Sequence, residues 1–549
     1  MRQTWKLFTN RMTESRKLKV AGLVLLLIIG GWLRIASLDK YPLGAQQDEL
    51  SDVYDGYSIL TTGADRFGER YPVIVRGFGE NDYRPALYPW LTVLPQAVAG
   101  FSVAAGRLPS ALMGIVSLVL MFGFARRMAG TTYAFAVLLF ATFSPLHIQY
   151  SRLAHEGAIL PAFFVIVSLY LWQKASLNGY RDWVLAALGF ATGFSSNAYQ
   201  ATKLTAFVFA AFMIVDIARH AAPRVRKIIV FSVAAFAGAL PQIIALFRET
   251  DKFFARAKIL SVTADGPFGY VAEVLRNYWL NLEPRYLFWP GEILDLTVTR
   301  LLPVEVLFFY VGIAGLFLLR GVERRSRYFM FLALVISILP AAITTGNPNT
   351  LRASGFAVVS PFLSAAGMVL LASLISSDRV RRKVYYPIAA AAVVLSAGAL
   401  LNWYTKSTVY REAYFQQILV DMSKKLGLYE DNYDRIILER FGTQPYIYIA
   451  SYSPMTPREF QQAPKNFYST GMDEFTTLGK YHFVRAPDLP AAMGEAQAAG
   501  LRYLVVSPDL LSGMQAVDSV SYWPEKLYFL AQPPDHHRGG GEARDDNSE

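Results

Sequence analysis

Apolar stretches of about 17–25 residues, separated by short polar or basic loops, recur along the first 400 positions. Each is long enough to cross the hydrocarbon core of a bilayer as an α-helix, because a helix rises about 1.5 Å per residue through a core about 30 Å thick. The pattern predicts eleven spans: 20–36, 108–125, 131–148, 157–173, 183–197, 203–218, 227–246, 302–320, 328–344, 355–375 and 384–403. The 183–197 span is the shortest and is rich in Gly and Ser. Segment 86–103 is also apolar, and its placement decides the topology. Laid along the membrane surface, it leaves Arg126/Arg127, Lys174/Arg181, Arg219/Arg224/Arg226/Lys227, Arg320/Arg324/Arg325/Arg327 and Arg379/Arg381/Arg382/Lys383 on one side. The opposite loops then hold single cations, Arg152, Lys203 and Arg352. That asymmetry is what the positive-inside rule requires, and a crossing at 86–103 would invert it.

The expected organisation follows. A cytoplasmic N-terminus, 1–19, leads into an uncleaved signal-anchor helix, because no small-residue cleavage site follows the first apolar run. A transmembrane domain, 20–404, carries exoplasmic loops at 37–107 and 247–301. Residues 405–533 turn polar and strand-like, with strands predicted at Asp434–Arg440, Pro445–Ser453, Tyr481–Arg485, Leu501–Ser507 and Lys526–Ala531. These read as a small exoplasmic α/β domain. The tail, 534–549, is low-complexity and is expected to be disordered, and its His536-His537 pair lacks the further ligands a metal site needs. No internal repeat and no paired Gly/Pro-broken helices of the inverted-repeat transporter kind stand out.

Composition sharpens this picture. Only 17% of the 549 residues are charged, 53% are hydrophobic and the mean hydropathy is +0.29, whereas a soluble domain carries about 25% charged residues. The net charge of +11 admits a nucleic-acid reading, but the cations sit in loops between spans rather than on one basic face. With no cysteine, disulfides and Cys-ligated metals are excluded. Walker, GxGxxG, GxSxG and HExxH patterns are missing, which removes support for nucleotide-driven transport, serine hydrolysis and a His-based metal site.

The candidate chemistry lies in the predicted exoplasmic loops. After the first span comes Tyr41-Pro-Leu-Gly-Ala-Gln-Gln-Asp-Glu-Leu-Ser-Asp-Val-Tyr-Asp-Gly-Tyr57, in which Asp48, Asp52 and Asp55 share one helix face with Glu49 beside them. Like charges at that spacing repel. The cluster is either a solvated acidic face or the seat of a carboxylate base for an attacking hydroxyl. Two Gly/Pro-punctuated loops follow, Gly63–Pro72 and Asn81–Trp90, and the second contains Arg84. Their Tyr, Trp and Arg residues suit interface anchors as well as a sugar and phosphate groove. Arg107, Arg152 with Glu156 four residues on, Tyr199 with Lys203, and Arg352 belong to the same predicted face. They are either snorkelling or internally paired charges, or together a cationic pocket for phosphate. His147 and His155 also lie near that face.

This pattern resembles the GT-C fold membrane glycosyltransferases, in particular the family 39-like branch of protein O-mannosyltransferases and aminoarabinose transferases. Asp48-Glu49 is similar to that branch's acidic pair. Tyr83-Arg-Pro-Ala-Leu-Tyr88 resembles its Pro-Pro-Leu element, with Ala86 in place of the second proline, and Arg107 resembles an arginine that precedes the second span. Ser144–Arg152 through Glu156 and Asn281–Glu292 are similar to two loops of bacterial members, with Glu292 where those carry Asp. The resemblance covers about 30–405 and extends to an accessory C-terminal domain. It implies a GT-C type bundle of about 11 transmembrane helices and an inverting transfer of a sugar from a polyprenyl-phosphate donor. The acceptor implied is an exoplasmic hydroxyl on a glycan, lipid or protein. Asp48 is the implied general base, Glu49 its neighbour, and Arg84, Arg107, Lys203 and Arg352 the implied phosphate stabilisers. No cofactor is implied, and a divalent metal stays open. The competing classes are a multi-span transporter or lipid-linked sugar flippase, whose functional charges belong near the bilayer midplane, and an assembly protein that binds a partner.

Overall fold

The structure is a computed structural model, and it describes residues 2–79, 82–289, 299–319, 322–406, 416–439, 444–469, 473–522 and 526–534. The sequence-level readings at Glu292, His536-His537 and residues 535–549 lie outside the described residues. In chain order the elements begin with α1 (Arg2–Ile35), α2 (Gln47–Thr62), β1 (Ile74–Arg76), β2 (Tyr83–Pro85) and α3 (Leu87–Ala99). Next come α4 (Val103–Phe143), α5 (Pro145–Tyr150), α6 (Ile159–Leu177), α7 (Asp182–Phe194), α8 (Gln200–His220), α9 (Arg224–Arg248), α10 (Thr250–Leu260), α11 (Gly266–Leu280) and α12 (Pro284–Phe288). After them follow α13 (Val306–Leu318), α14 (Arg324–Ala342), α15 (Phe356–Ser373) and α16 (Tyr386–Lys406). The C-terminal region holds α17 (Gln417–Tyr429), β3 (Arg435–Glu439), α18 (Pro445–Tyr452), α19 (Pro457–Gln462), β4 (Lys465–Ser469), β5 (Asp473–Leu478), β6 (Tyr481–Val484), α20 (Leu489–Ala498), β7 (Tyr503–Ser507), β8 (Gln515–Tyr522) and β9 (Lys526–Gln532).

Among the described residues each of the eleven predicted spans overlaps a helix, with 131–148 running from the end of α4 into α5. Among the described residues, eight helices are long and apolar enough to cross a membrane. One of them, α4, is two helices in series: Ala129 (φ −147°, ψ 21°) and Gly130 (φ 82°, ψ −178°) break it between the predicted 108–125 and 131–148 spans. The helices α7 and α13, at 13 residues each, fall short of the length a crossing needs. Helix α3, also 13 residues, is likewise too short to span.

The chain forms two compact units: 1–38, 107–250 and 257–405 make a helical unit, and 39–106, 251–256 and 406–549 make a mixed unit. The first exoplasmic loop expected at 37–107 thus groups with the C-terminal residues.

Helices of the helical unit approach closely where side chains are absent. A Cβ on Gly193 of α7 would stand 1.8 Å from the Ala235 carbonyl oxygen of α9, and one on Gly238 would stand 2.4 Å from the Phe190 carbonyl oxygen. Between α13 and α15 the same holds for Gly312 against Leu363 and for Gly367 against Phe308, at 1.8 Å each. Such backbone contact is how helices gain packing energy where lipid is as apolar as a leucine side chain. Asp216 of α8, nearly buried, is held by Arg325 at 2.7 and 2.8 Å, by the Tyr180 hydroxyl at 2.8 Å and by Trp172 Nε1 at 3.0 Å. A buried carboxylate demands such partners. Arg325, expected as a loop cation, therefore clasps α14 to α6 and α8.

The mixed unit contains an antiparallel pair, β1–β2, and a seven-stranded sheet of order β4-β5-β6-β3-β7-β9-β8. Strand β3 is parallel to both neighbours, with Ile436 opposite Tyr481 and Arg435 opposite Tyr503. The remaining pairs are antiparallel. Four of the five predicted strands are strands. The fifth, Pro445–Ser453, is corrected: Pro445–Tyr452 is the helix α18, with Pro at its first turn and Gln444 in the left-handed region before it. An apolar run of that length fits a buried helix as well as a strand, and a proline with φ preset near −65° favours the helix start. Strands β4, β5 and β8 were not anticipated, because their sequences are mostly polar and read as loop. Among the described residues of the unit, one core cluster combines Ala45, Leu50, Tyr54 and Phe78 with Tyr446, Tyr448, Phe460, Phe475, Leu504 and Leu530, and a second gathers Ile437, Leu489, Ala496, Tyr503 and Val505.

Candidate active site

Helix α2 begins in a capping box. The Gln46 side chain accepts from Asp48 N at 2.7 Å, and the Glu49 carboxylate accepts from Gln46 N at 3.3 Å. Both acids sit in the first turn, where the helix dipole favours negative charge. Glu49 is buried and helps set the start of the helix, while Asp48 keeps about 30% of its side chain exposed. The Gln46 amide donates to Asp48 Oδ2 at 2.9 Å.

Asp48, Asp52 and Asp55 do share one face, and two arginines answer their mutual repulsion. Arg84 of β2 lies 3.6 Å from Asp48 Oδ1 and 3.3 Å from Asp52 Oδ1, and it donates to the Ser51 hydroxyl. Arg66 forms an ion pair with Asp55, whose carboxylate also accepts from Arg66 N at 3.1 Å. The same guanidinium donates to the carbonyls of Arg76 at 2.9 Å and Gly77 at 2.7 Å, so it ties α2 to β1. Burial pushes the Asp55 carboxyl above its ordinary range, with Arg66 and then Arg84 pulling the other way. Burial, and then the Asp55 charge, raise Asp65 to about 6 although its Oδ1 accepts from Phe67 N and Glu69 N, both at 2.9 Å. Arg66 and Ser51 were not singled out from sequence. Arg66 was visible only as a cation in the Gly63–Pro72 loop, 11 residues past its partner.

The remaining predicted residues belong to the helical unit. Arg107 donates to Leu38 O at 2.8 Å, and Arg152 donates to Leu33 O at 2.9 Å, Ala36 O at 2.7 Å and Ser37 O at 3.0 Å. These carbonyls are at and just beyond the C-terminus of α1, where backbone acceptors lack helical partners and cations are favoured. Arg34 donates to Gly30 O at 2.8 Å and Ala141 O at 2.9 Å, with His147 Nδ1 2.9 Å away. Glu156 is buried, 3.0 Å from His155 Nδ1. Tyr199 is the buried N-cap residue of α8, and Lys203 stands one turn inside that helix, half-buried. Arg352 donates to the Thr344 hydroxyl at 3.0 Å and to the Thr345 carbonyl. Its loop is tied to Asn281, whose amide donates to Asn347 Oδ1 at 2.9 Å and accepts from Asn349 N at 3.1 Å. Among the described residues, no group of three or more His, Asp or Glu is placed to hold a metal ion.

Comparison with known proteins follows the same lines. The dolichyl-phosphate-mannose-protein mannosyltransferase family model matches residues 83–244. No curated protein matches the chain. Among solved structures, the chain is similar to ArnT from Cupriavidus metallidurans bound to undecaprenyl phosphate, with a TM-score of 0.54 at 12% identity, covering 94% of this chain and 99% of that one. The apo form of the same ArnT gives 0.51 at 12% identity over 93% and 98%. The chain thus shares the fold of ArnT, and residues 83–244 within it match the dolichyl-phosphate-mannose-protein mannosyltransferase family model.

Proposed function

We propose that the chain moves a sugar from a polyprenyl-phosphate donor to an acceptor hydroxyl on the exoplasmic side, with inversion, and that Asp48 is the general base. The acceptor oxygen attacks the anomeric carbon, the bond from that carbon to the phosphate oxygen breaks, and the polyprenyl phosphate leaves. The acceptor proton passes to Asp48. The observation that carries this reading is the division of labour on α2. Asp52 and Asp55 are buried beneath arginines, whereas Asp48 retains solvent access with its carboxylate steadied by Gln46 and Arg84. A base has to reach the proton it removes, and a partly exposed, oriented carboxylate can.

Lys203 and Arg352, with Arg84 and Arg107, are assigned to stabilising the leaving phosphate, where developing charge repays fixed cations most. Arg152, Glu156 and Tyr199 are assigned to binding the donor. A lipid-phosphate donor is consistent with the undecaprenyl phosphate bound in the ArnT structure of the same fold.

The test is transfer from radiolabelled polyprenyl-phosphate sugars to candidate glycan, lipid and peptide acceptors by the purified protein. Asp48→Asn is expected to lower kcat roughly 10²- to 10⁴-fold, the usual contribution of a general base. Transfer at the wild-type rate in that variant removes Asp48 from the role. Because the chain has no native cysteine, single introduced cysteines between 416 and 534 report the orientation directly. Labelling only from the cytoplasmic side overturns it.

A further inference from the structure

The helix that bears Asp48 presents three distinct faces. The acidic face meets Arg84 and Arg66. A second face meets α3: Gly56 approaches Thr92 and Pro89 so closely that a Cβ would stand 1.9 Å from the Thr92 hydroxyl, and Gln96 donates to Val53 O at 2.9 Å. The third carries Leu50, Tyr54, Ser58 and Thr62, four positions at i+4 spacing that form one stripe. This stripe faces the C-terminal residues of the same compact unit. Leu50 and Tyr54 enter its core, and the Tyr54 ring meets Phe460 of α19 edge-on at 5.7 Å.

Two polar side chains clasp the ends of that stripe. The Tyr448 hydroxyl of α18 donates to Ala45 O, immediately before the helix cap, at 3.0 Å, and lies 3.0 Å from Gln416 Oε1. Gln461 of α19 spans the other end. Its Nε2 lies 3.0 Å from Ser58 Oγ, 2.9 Å from Thr62 Oγ1 and 2.8 Å from Asp65 O. Both partners are more than 380 residues away in sequence from the helix they hold. Apolar burial alone leaves a helix able to slide or rotate slightly, while directional hydrogen bonds at both ends fix its azimuth and register.

We infer that Tyr448 and Gln461 are positioning residues for the acidic helix, and that the C-terminal α/β region serves as the scaffold that sets the register and tilt of Asp48. The inference rests on the assignment of Asp48 above. Its physical basis is that a displacement of about 1 Å at a reacting group can cost about 10² in rate, so a clasp that fixes the helix acts on turnover rather than on donor affinity.

The experiment compares Tyr448→Phe and Gln461→Leu with Tyr429→Phe in the full-length protein. Tyr429 serves as the control because its hydroxyl bonds Asp518 of β8, at 2.9 Å, rather than α2. Two readouts are taken, steady-state transfer and hydrogen–deuterium exchange of residues 47–62. The clasp variants are expected to lower kcat roughly 3- to 30-fold with donor KM unchanged, and to speed exchange in 47–62. The control is expected to lower thermal stability alone. Wild-type kcat and exchange in both clasp variants, or the same changes in the control, overturn the inference. Asp48→Asn separates the two readings. Its full activity defeats the assignment of the base, whereas its inactivity beside fully active clasp variants defeats the positioning role alone.

Discussion

Replacing Arg66 by methionine should destabilise the mixed unit severely, and the structure says by how much. The guanidinium is fully buried against an equally buried Asp55, donates to two carbonyls at 2.9 and 2.7 Å, and lies 5.0 and 5.4 Å from the ring centres of Phe67 and Phe78. Methionine keeps much of the volume and removes the charge and the donors. Breaking one side of a buried pair costs about 3–5 kcal/mol, because the partner charge is left in a poor solvent. At about 2–4 °C per kcal/mol for a unit of this size, the melting transition should fall by about 6–20 °C. The loss should depend on pH with a definite sign. Burial already raises the Asp55 carboxyl, with Arg66 the chief opposing influence, so removing Arg66 raises it further. A carboxyl with a raised folded value contributes stability that is fully present below its unfolded value and is lost as pH rises through the folded one. The variant should therefore be hurt more at pH 8 than at pH 5. The assay is intrinsic-fluorescence melting of detergent-purified protein at both pH values, for Arg66→Met, Asp55→Leu and the pair together. The double variant, with no orphaned charge, should recover at least half of the single-variant loss. An Arg66→Met protein that melts like the wild type at pH 8, or a double variant no better than the sum of the singles, refutes the reasoning.

Asp65→Asn keeps an acceptor for Phe67 N and Glu69 N while removing a carboxylate that burial, and then Asp55, raise from 3.8 to about 6. The variant should gain up to about 3 kcal/mol at pH 8, shrinking as pH falls through 6, and a pH-independent difference in melting would contradict this. Gly193→Ala, which sets a Cβ 1.8 Å from the Ala235 carbonyl, should cost about 1–3 kcal/mol or more, whereas Gly398→Ala, with open space around its Cβ, should be neutral or slightly stabilising. Equal melting shifts for the two would remove the α7–α9 close approach as a source of stability. Arg84→Lys should lower kcat roughly tenfold or more, because a single ammonium cannot bridge Asp48 and Asp52 as the planar guanidinium does, and unchanged transfer kinetics would count against Arg84 as the holder of Asp48.

Long-period information was readable directly from the chain. Runs of apolar residues long enough for a bilayer, and the bias of cations between them, place the helices whatever their neighbours are, since lipid acts on each segment separately. The acidic face of α2 was equally legible, because i, i+4, i+7 spacing is a property of the helix alone. So were the strands β3, β6 and β7, dense in Ile, Leu and Val or flanked by turn residues, though their parallel pairing at the centre of the sheet was not.

Tertiary structure decided what those local elements touch. Arg66 finds Asp55, Arg152 caps α1 more than 110 residues earlier, and Gln461 reaches α2 across nearly 400 residues. None of these pairs leaves a periodic trace in sequence. Pro445–Tyr452 became a helix because its apolar run is buried all round, which removes the alternation that separates strand from helix. The polar strands β4, β5 and β8 exist because neighbouring strands supply hydrogen-bond partners for their backbones, a condition set by the assembled sheet and not by their own composition. Segment periodicity is a local, additive property that a sequence states outright. The pairing of buried charges and strand edges depends on which distant groups leave water together, and only the folded chain determines that.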